Sequence, residues 1–226
     1  DMLPKNVQDI CYWASILYKK YGDPQAIDYI ILTLDHAIEQ GFAFGSGMGA
    51  THHYGYEIRN LYKAIWLTRA ELKERGVLEK YTELISYWSG LQETRKPFEK
   101  DRYEILDTWN TLLIGRVISA MLQSTDEEKY TAMRHLSDWV SESLRYTQGT
   151  IGGVKVDGTT FHHGAHYPAY TVGGLGNLGI FCMLTKDTDL ILSYEGRVHM
   201  KKALLTMRNY CSGRNWGFGI CGRRPL

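Results

Sequence analysis

Apolar residues recur at three- and four-residue spacing through most of this chain, and that period constrains the fold more than any other feature. From Tyr56, the positions Ile58, Leu61, Tyr62, Ile65 and Trp66 follow the i, i+3, i+4, i+7, i+8 pattern of one helical face. The same reading predicts helices over 5–21, 24–40, 56–76, 78–89, 102–123, 126–146, 170–185 and 194–211. Punctuation agrees with the period. Asp23 precedes Pro24 as an N-cap before a first-turn proline, Gly22, Gly41 and Gly76 stand at helix ends, and Thr125 with Glu128 has capping-box spacing. No alternating strand exceeds five residues, so the predicted fold class is all-α, built from helices joined as hairpins. Helices without sustained heptads disfavour a coiled coil.

Three glycine-rich segments break the pattern: Gly41–Gly55, Gln148–Pro168 and Ser212–Leu226. Long loops between helices often carry function, so chemistry is expected there. The rest of the composition narrows the classes. At 226 residues the chain suits one large domain or two small ones, and 44% hydrophobic content suits a globular protein. A net charge of +1 argues against a dedicated nucleic-acid binder, although Arg214, Arg223 and Arg224 could form a local basic groove. No apolar run approaches the roughly 18 residues of a membrane span, and Asp1–Lys5 has no apolar signal region. Cys11, Cys182, Cys211 and Cys221 show no CxxC spacing. Cys11 and Cys182 read as buried thiols, and Cys211 and Cys221 are left open as a pair.

The run Asp157–Tyr170 holds His162, His163 and His166 with Tyr167 and Tyr170, an unusual density of proton-transfer groups. The plainer alternatives are surface aromatics, or a metal site on the His163–His166 spacing, which lacks an evident third ligand. Thr51–Tyr56 brings His52 and His53 to the entry of a helix, where free backbone N–H groups suit an anion or simply a polar cap. Gly222-Arg223-Arg224 could present guanidinium groups to anions, or be solvated charge. Gly174-Leu175-Gly176-Asn177-Leu178-Gly179 matches a dinucleotide fingerprint but lacks the preceding strand. Its glycines read better as close packing beneath the site.

These segments together resemble the chondroitin ABC lyases of polysaccharide lyase family eight. Asp157–Tyr170 is similar to the family's catalytic stretch, Thr51–Tyr56 to its Thr-His-His-aromatic-Gly-Tyr, and Leu106–Leu112 to a third stretch. Gly222-Arg223 falls on the catalytic Gly-Arg. The resemblance runs in order through residues 51–226. It implies an incomplete (α/α) toroid, with residues 1–226 as its catalytic helical domain, in a longer bacterial enzyme that is periplasmic or secreted. It implies catalytic roles for His163, Tyr170 and Arg223, with His52 or His53 as a second base. It places His162, Trp109, Asn110, Asn177 and Arg224 at substrate-binding positions. The position of His162 is often Arg in the family, which bears on sulfate contacts.

The implied reaction is β-elimination at the uronic acid of an acidic polysaccharide of the chondroitin or dermatan sulfate type. The implied partner is that polysaccharide, with no nucleic acid, no membrane and no second subunit, so a monomer is expected. The implied cofactor content is none, with a modulating divalent cation left open. The family's catalytic Glu comes from a later β-rich region beyond Leu226, so this stretch alone is expected to turn over weakly. A non-catalytic sugar-binding helical module is the competing reading.

Overall fold

Asp23 starts its helix as the sequence predicts. Its carboxylate accepts from the Gln25 N–H at 2.9 Å, and Pro24 occupies the first turn. Thr125 and Glu128 exchange reciprocal hydrogen bonds, 2.9 Å from the Thr125 N–H and 3.2 Å from the Glu128 N–H, so the capping box is real. The computed structural model describes residues 5–47, 51–99, 105–213 and 215–216, with side chains described for 7–47, 55–99, 105–213 and 215. Among the described residues lie ten α-helices and five strands of two or three residues, an all-α fold with minor β-ribbons.

The helices are α1 (Lys5–Tyr21), α2 (Pro24–Glu39), α3 (Thr51–Leu67), α4 (Arg69–Glu74), α5 (Leu78–Ser89), α6 (Ile105–Thr111), α7 (Leu113–Met121), α8 (Asp126–Ser143), α9 (Pro168–Thr185) and α10 (Tyr194–Arg208). Two predicted helices are split. The 56–76 helix breaks at Thr68, whose hydroxyl donates to the Ala64 carbonyl at 2.8 Å. The 102–123 helix breaks at Leu112, just after Thr111 donates to the Asp107 carbonyl at 2.7 Å. A threonine that back-bonds in this way competes with the backbone ladder and bends the helix. The Gly41–Gly55 segment is shorter as a loop than predicted, because α3 already begins at Thr51.

The chain divides into two compact units, residues 1–93 with 114–132, and residues 94–113 with 133–226. In the first unit α1 packs on α2 and α3, and α3 packs on α5. Its core takes Ile58, Leu61, Tyr62 and Ile65 of α3, from the periodic face read in the sequence, together with Ile27, Ile30 and Leu34 of α2 and Leu84, Ile85 and Trp88 of α5, while Trp66 of that face is partly buried. Burying each such side chain contributes roughly 1.5–3 kcal/mol relative to exposure. Cys11 is buried there, and burial pushes its thiol up to about 12.

The second unit carries a small antiparallel sheet, β1 (Gly153–Val154), β2 (Thr160–His162) and β3 (Ala165–His166), in the order β1-β2-β3. A second ribbon pairs β4 (Cys211–Ser212) with β5 (Asn215–Trp216). Helix α6 packs along α9, and β2 packs against α9. Cys182 is half-buried rather than buried, with its sulfur 3.9 Å from Met200 Sδ. Cys11, Cys182 and Cys211 are free thiols, and Cys221 lies outside the described residues.

Candidate functional site

The Asp-Gly-Thr of the second glycine-rich segment is a turn. The Asp157 carboxylate accepts from the Thr159 N–H at 2.9 Å and from its hydroxyl at 2.7 Å, and these two bonds hold the carboxyl below its ordinary value. Gly158 has φ 87°, and a Cβ there would stand 2.3 Å from Thr206 Oγ1 of α10, so only glycine fits. Beneath the turn, Lys155 is buried. Its ammonium donates to Thr147 Oγ1 at 2.9 Å and to the carbonyls of Ile151 at 2.5 Å and Gln148 at 3.4 Å, and it lies 4.6 Å over the Phe161 ring. Burial pulls the Lys155 pKa down and Asp157 opposes that.

From this base β2 delivers His162 and His163 to the tip of a two-residue hairpin. His162 pairs with Ala165 across the turn. His163 has φ 50°, the only positive φ outside glycine among the described residues, and Gly164 follows at 73°. Strand β2 is tied to the start of α9: Thr160 Oγ1 lies 2.5 Å from Thr171 Oγ1, and the Tyr167 N–H donates to the Thr160 carbonyl at 3.0 Å. Pro168 opens α9, so Tyr170 stands in its first turn beside the hairpin.

Four rings therefore meet. The His162 ring centroid is 3.9 Å from that of His163 and 4.8 Å from that of Tyr170, and His163 and Tyr170 are 6.4 Å apart. The Tyr167 ring stacks on Tyr170 at 4.8 Å. His163 is exposed, Tyr170 is 8% exposed and His162 is fully buried. An exposed imidazole next to a phenol that is nearly covered can pass a proton to and from a ligand lying over the hairpin. Among the described residues no group of three or more His, Cys, Asp or Glu side chains is placed to hold a metal ion.

The other predicted positions sort into three kinds. Trp109 is fully buried in α6 and its indole N–H donates to Ser143 at 2.9 Å, so as placed it offers no face to a sugar. Asn177 is occupied with α6, donating to the carbonyls of Trp109 at 3.0 Å and Asn110 at 2.8 Å. Asn110 presses on Gly173, where a Cβ would stand 2.2 Å from its Oδ1. The close-packing reading of the glycine run holds at Gly174, where a Cβ would meet Trp109 Cβ at 3.2 Å. It fails at Gly176 and Gly179, which have open space around them. His52 and His53 lie in the first turn of α3, but their side chains are outside the described residues. Arg223 and Arg224 are outside them altogether.

Sequence reasoning missed Asp107. It lies in the apolar run Ile105-Leu106-Asp107-Thr108-Trp109, is 3% exposed, and brings its Oδ2 to 3.5 Å from His162 Nε2. A carboxylate set among apolar neighbours was the available signal, since a buried charge needs a partner. Tyr167, read among the proton-transfer groups of the 157–170 run without a role of its own, is 8% exposed and packed into the ring cluster.

Comparison with known proteins follows the same residues. A family model described as "Lyase, catalytic" matches residues 20–226. A chondroitin sulfate ABC exolyase of Bacteroides thetaiotaomicron is 35% identical over 191 residues, covering 84% of this chain and 19% of that enzyme. A chondroitin sulfate ABC exolyase of Proteus vulgaris is 29% identical, covering 86% of this chain and 20% of the enzyme. A chondroitin sulfate ABC endolyase of the same organism is 27% identical, covering 88% and 19%. The chain thus spans about a fifth of the length of these curated relatives. With a match that takes in the His-Tyr hairpin, the α6–α9 interface and most of the helical scaffold, the chain belongs to the family of lyase catalytic domains.

Proposed function

We propose that the protein is a polysaccharide lyase that cleaves glycosaminoglycans of the chondroitin and dermatan sulfate type by β-elimination at the uronic acid. The observation that carries the reading is the His163–Tyr170 pair, ring centroids 6.4 Å apart, on a hairpin and a helix start tied together by buried hydrogen bonds. It is supported by membership of the lyase family and by relatives that act on chondroitin sulfate.

The chemistry follows from the substrate. The C5 proton of a uronic acid is weakly acidic because the neighbouring carboxylate resists more negative charge, so that carboxylate must be neutralised by protonation or by strong hydrogen bonds. On a glucuronic acid, Tyr170 as phenolate takes the C5 proton, the C5–H electrons form the C4–C5 double bond, and the C4–O4 bond breaks. The resulting phenol returns a proton to O4 on the same face. His163 sits near C5 and the carboxylate, and Arg223 holds the phenolate and the bridging oxygen. On an iduronic acid the C5 proton lies on the opposite face, and His52 or His53 serves as its base. Arg224, which adjoins Arg223 in sequence, and Asn110 bind the chain around the scissile unit. The reaction calls for no cofactor, and a location outside the cytoplasm is where such a substrate is met.

The test is the near-ultraviolet absorbance of a C4–C5 unsaturated uronate when the protein in its natural length is mixed with chondroitin sulfate. Absorbance rising in proportion to enzyme, and lost in Tyr170→Phe, is expected. Cleavage to products without the double bond, or no cleavage of either epimer, overturns the reading.

A further inference from the structure

His162 occupies the middle of the ring cluster without being accessible to a ligand. It is 0% exposed, its ring packs against both His163 and Tyr170, and its Nε2 faces Asp107 Oδ2 at 3.5 Å. Asp107 is itself 3% exposed, on α6, which packs along the helix that carries Tyr170. Three elements therefore meet at one imidazole: the β2 strand that bears it, α6 through the carboxylate and α9 through the phenol ring.

We infer that Asp107 and His162 form a buried positioning dyad. Asp107 keeps the imidazole proton on Nε2 and fixes the ring plane, so that His162 backs both His163 and Tyr170 and sets how they meet. The inference rests on the lyase reading for its consequence in catalysis, but not for the dyad itself. Neither residue needs to touch substrate.

The physical case has three parts. A carboxylate buried among Ile105, Leu106 and Trp109 carries a large desolvation cost, and an imidazole N–H facing it offsets part of that cost. An imidazole has two tautomers, and a carboxylate 3.5 Å from Nε2 favours the one that carries its proton there. The ring also has rigid neighbours. Its contact with Tyr170 is edge-on, 70° between planes, so rotation of His162 about its side-chain bonds would drive it into the phenol or into His163. Fixing that rotation fixes the gap in which the exposed His163 and the covered Tyr170 share a ligand. A misplacement of about 1 Å in such a gap costs on the order of 10²-fold in rate.

Two measurements test it. The first needs no substrate: 15N spectra of the histidine rings of the wild-type protein, with the His162 signals assigned by their loss in His162→Gln. The expected result is a proton on Nε2, and a shift of those signals in Asp107→Asn. A His162 ring with its proton on Nδ1 and Nε2 bare overturns the dyad, whatever the enzyme does. The second is kinetic. Asp107→Asn keeps the volume but removes the negative acceptor, and kcat should fall about 10–100-fold, as for other outer partners of a histidine, with KM nearly unchanged. A merely structural pair would instead lower the unfolding midpoint and leave kcat of the folded fraction alone, which would overturn the positioning role. If Asp107→Asn does not fold, the wild-type spectra still decide. If no lyase activity exists at all, the spectra separate that failure from failure of the dyad.

Discussion

His163 and Gly164 both adopt positive φ, 50° and 73°, and together they turn the chain so that His162 faces Ala165. Two such residues in a two-residue loop are the signature of a type I′ hairpin turn. A left-handed conformation costs a residue with a Cβ roughly 1–2 kcal/mol, and the cost is borne where a side chain must be presented. His163→Gly removes that cost and adds chain entropy of about the same size. Its unfolding free energy should therefore stay within about 1 kcal/mol of wild type, while turnover falls at least about 10²-fold. Urea titration and kcat on one preparation check both halves, and a variant that is both folded and active removes His163 from the reaction.

Tyr170→Phe keeps the ring that stacks on Tyr167 and meets His162 edge-on, and deletes only the hydroxyl. Cleavage of both uronic acid epimers should fall by about 10²–10⁴-fold. Activity within tenfold of wild type would rule out the phenol as the shared acid.

Replacing His52 and His53 together by Ala should damage iduronic acid cleavage more than glucuronic acid cleavage. The two epimers present the C5 proton on opposite faces, and one phenol cannot reach both. Equal losses in kcat/KM on dermatan and chondroitin substrates would leave the pair only a carboxylate-binding role at the N-terminus of α3.

The α9 glycines should respond in opposite directions. Gly173→Ala forces a Cβ to within 2.2 Å of Asn110 Oδ1 and should destabilise by about 1–3 kcal/mol. Gly176→Ala meets open space in a helix interior and should stabilise by about 0.5–1 kcal/mol. Chemical denaturation of both variants is decisive, since a phosphate-cradling loop would show no such split.

Stability should also decline on mild acidification. Burial holds the His166 imidazole below the ordinary histidine value, with Asp157 acting against it. The unfolded chain then takes up its proton first as pH falls. Stability is lost from near the ordinary value of about 6.5 downward, and the loss is complete below the folded-state pKa. His166→Phe, which can keep the ring contacts to Phe161 and Tyr210, should flatten that window in unfolding midpoints taken above and below it. An unchanged pH slope would mean that other groups set it.

The contrast between Thr125 and Thr68 shows how far the sequence could be read. Thr125 caps through a partner three residues away, so its role is visible locally. Thr68 lies within an unbroken apolar period, and nothing local distinguishes a threonine that back-bonds and bends a helix from one that does not. The same holds at the site. His163, Gly164 and Tyr170 sit within eight residues and announce themselves, whereas Asp107 reaches His162 across 55 positions through the packing of α6 on α9. Trp109 and Asn177 fit a sugar-binding expectation by residue type, but interior hydrogen bonds claim their polar groups.

Lys155 stands toward the 147–151 turn as a captured ion stands toward its cage. Its ammonium gathers a hydroxyl and two carbonyls that would otherwise face one another across the turn. Because the charge is tethered to β1, it cannot be diluted away, exchanged or chelated, and a buried charge is little screened by salt. The footing of the histidine hairpin is therefore set when the chain is made, by a charge that the surrounding salt does little to weaken.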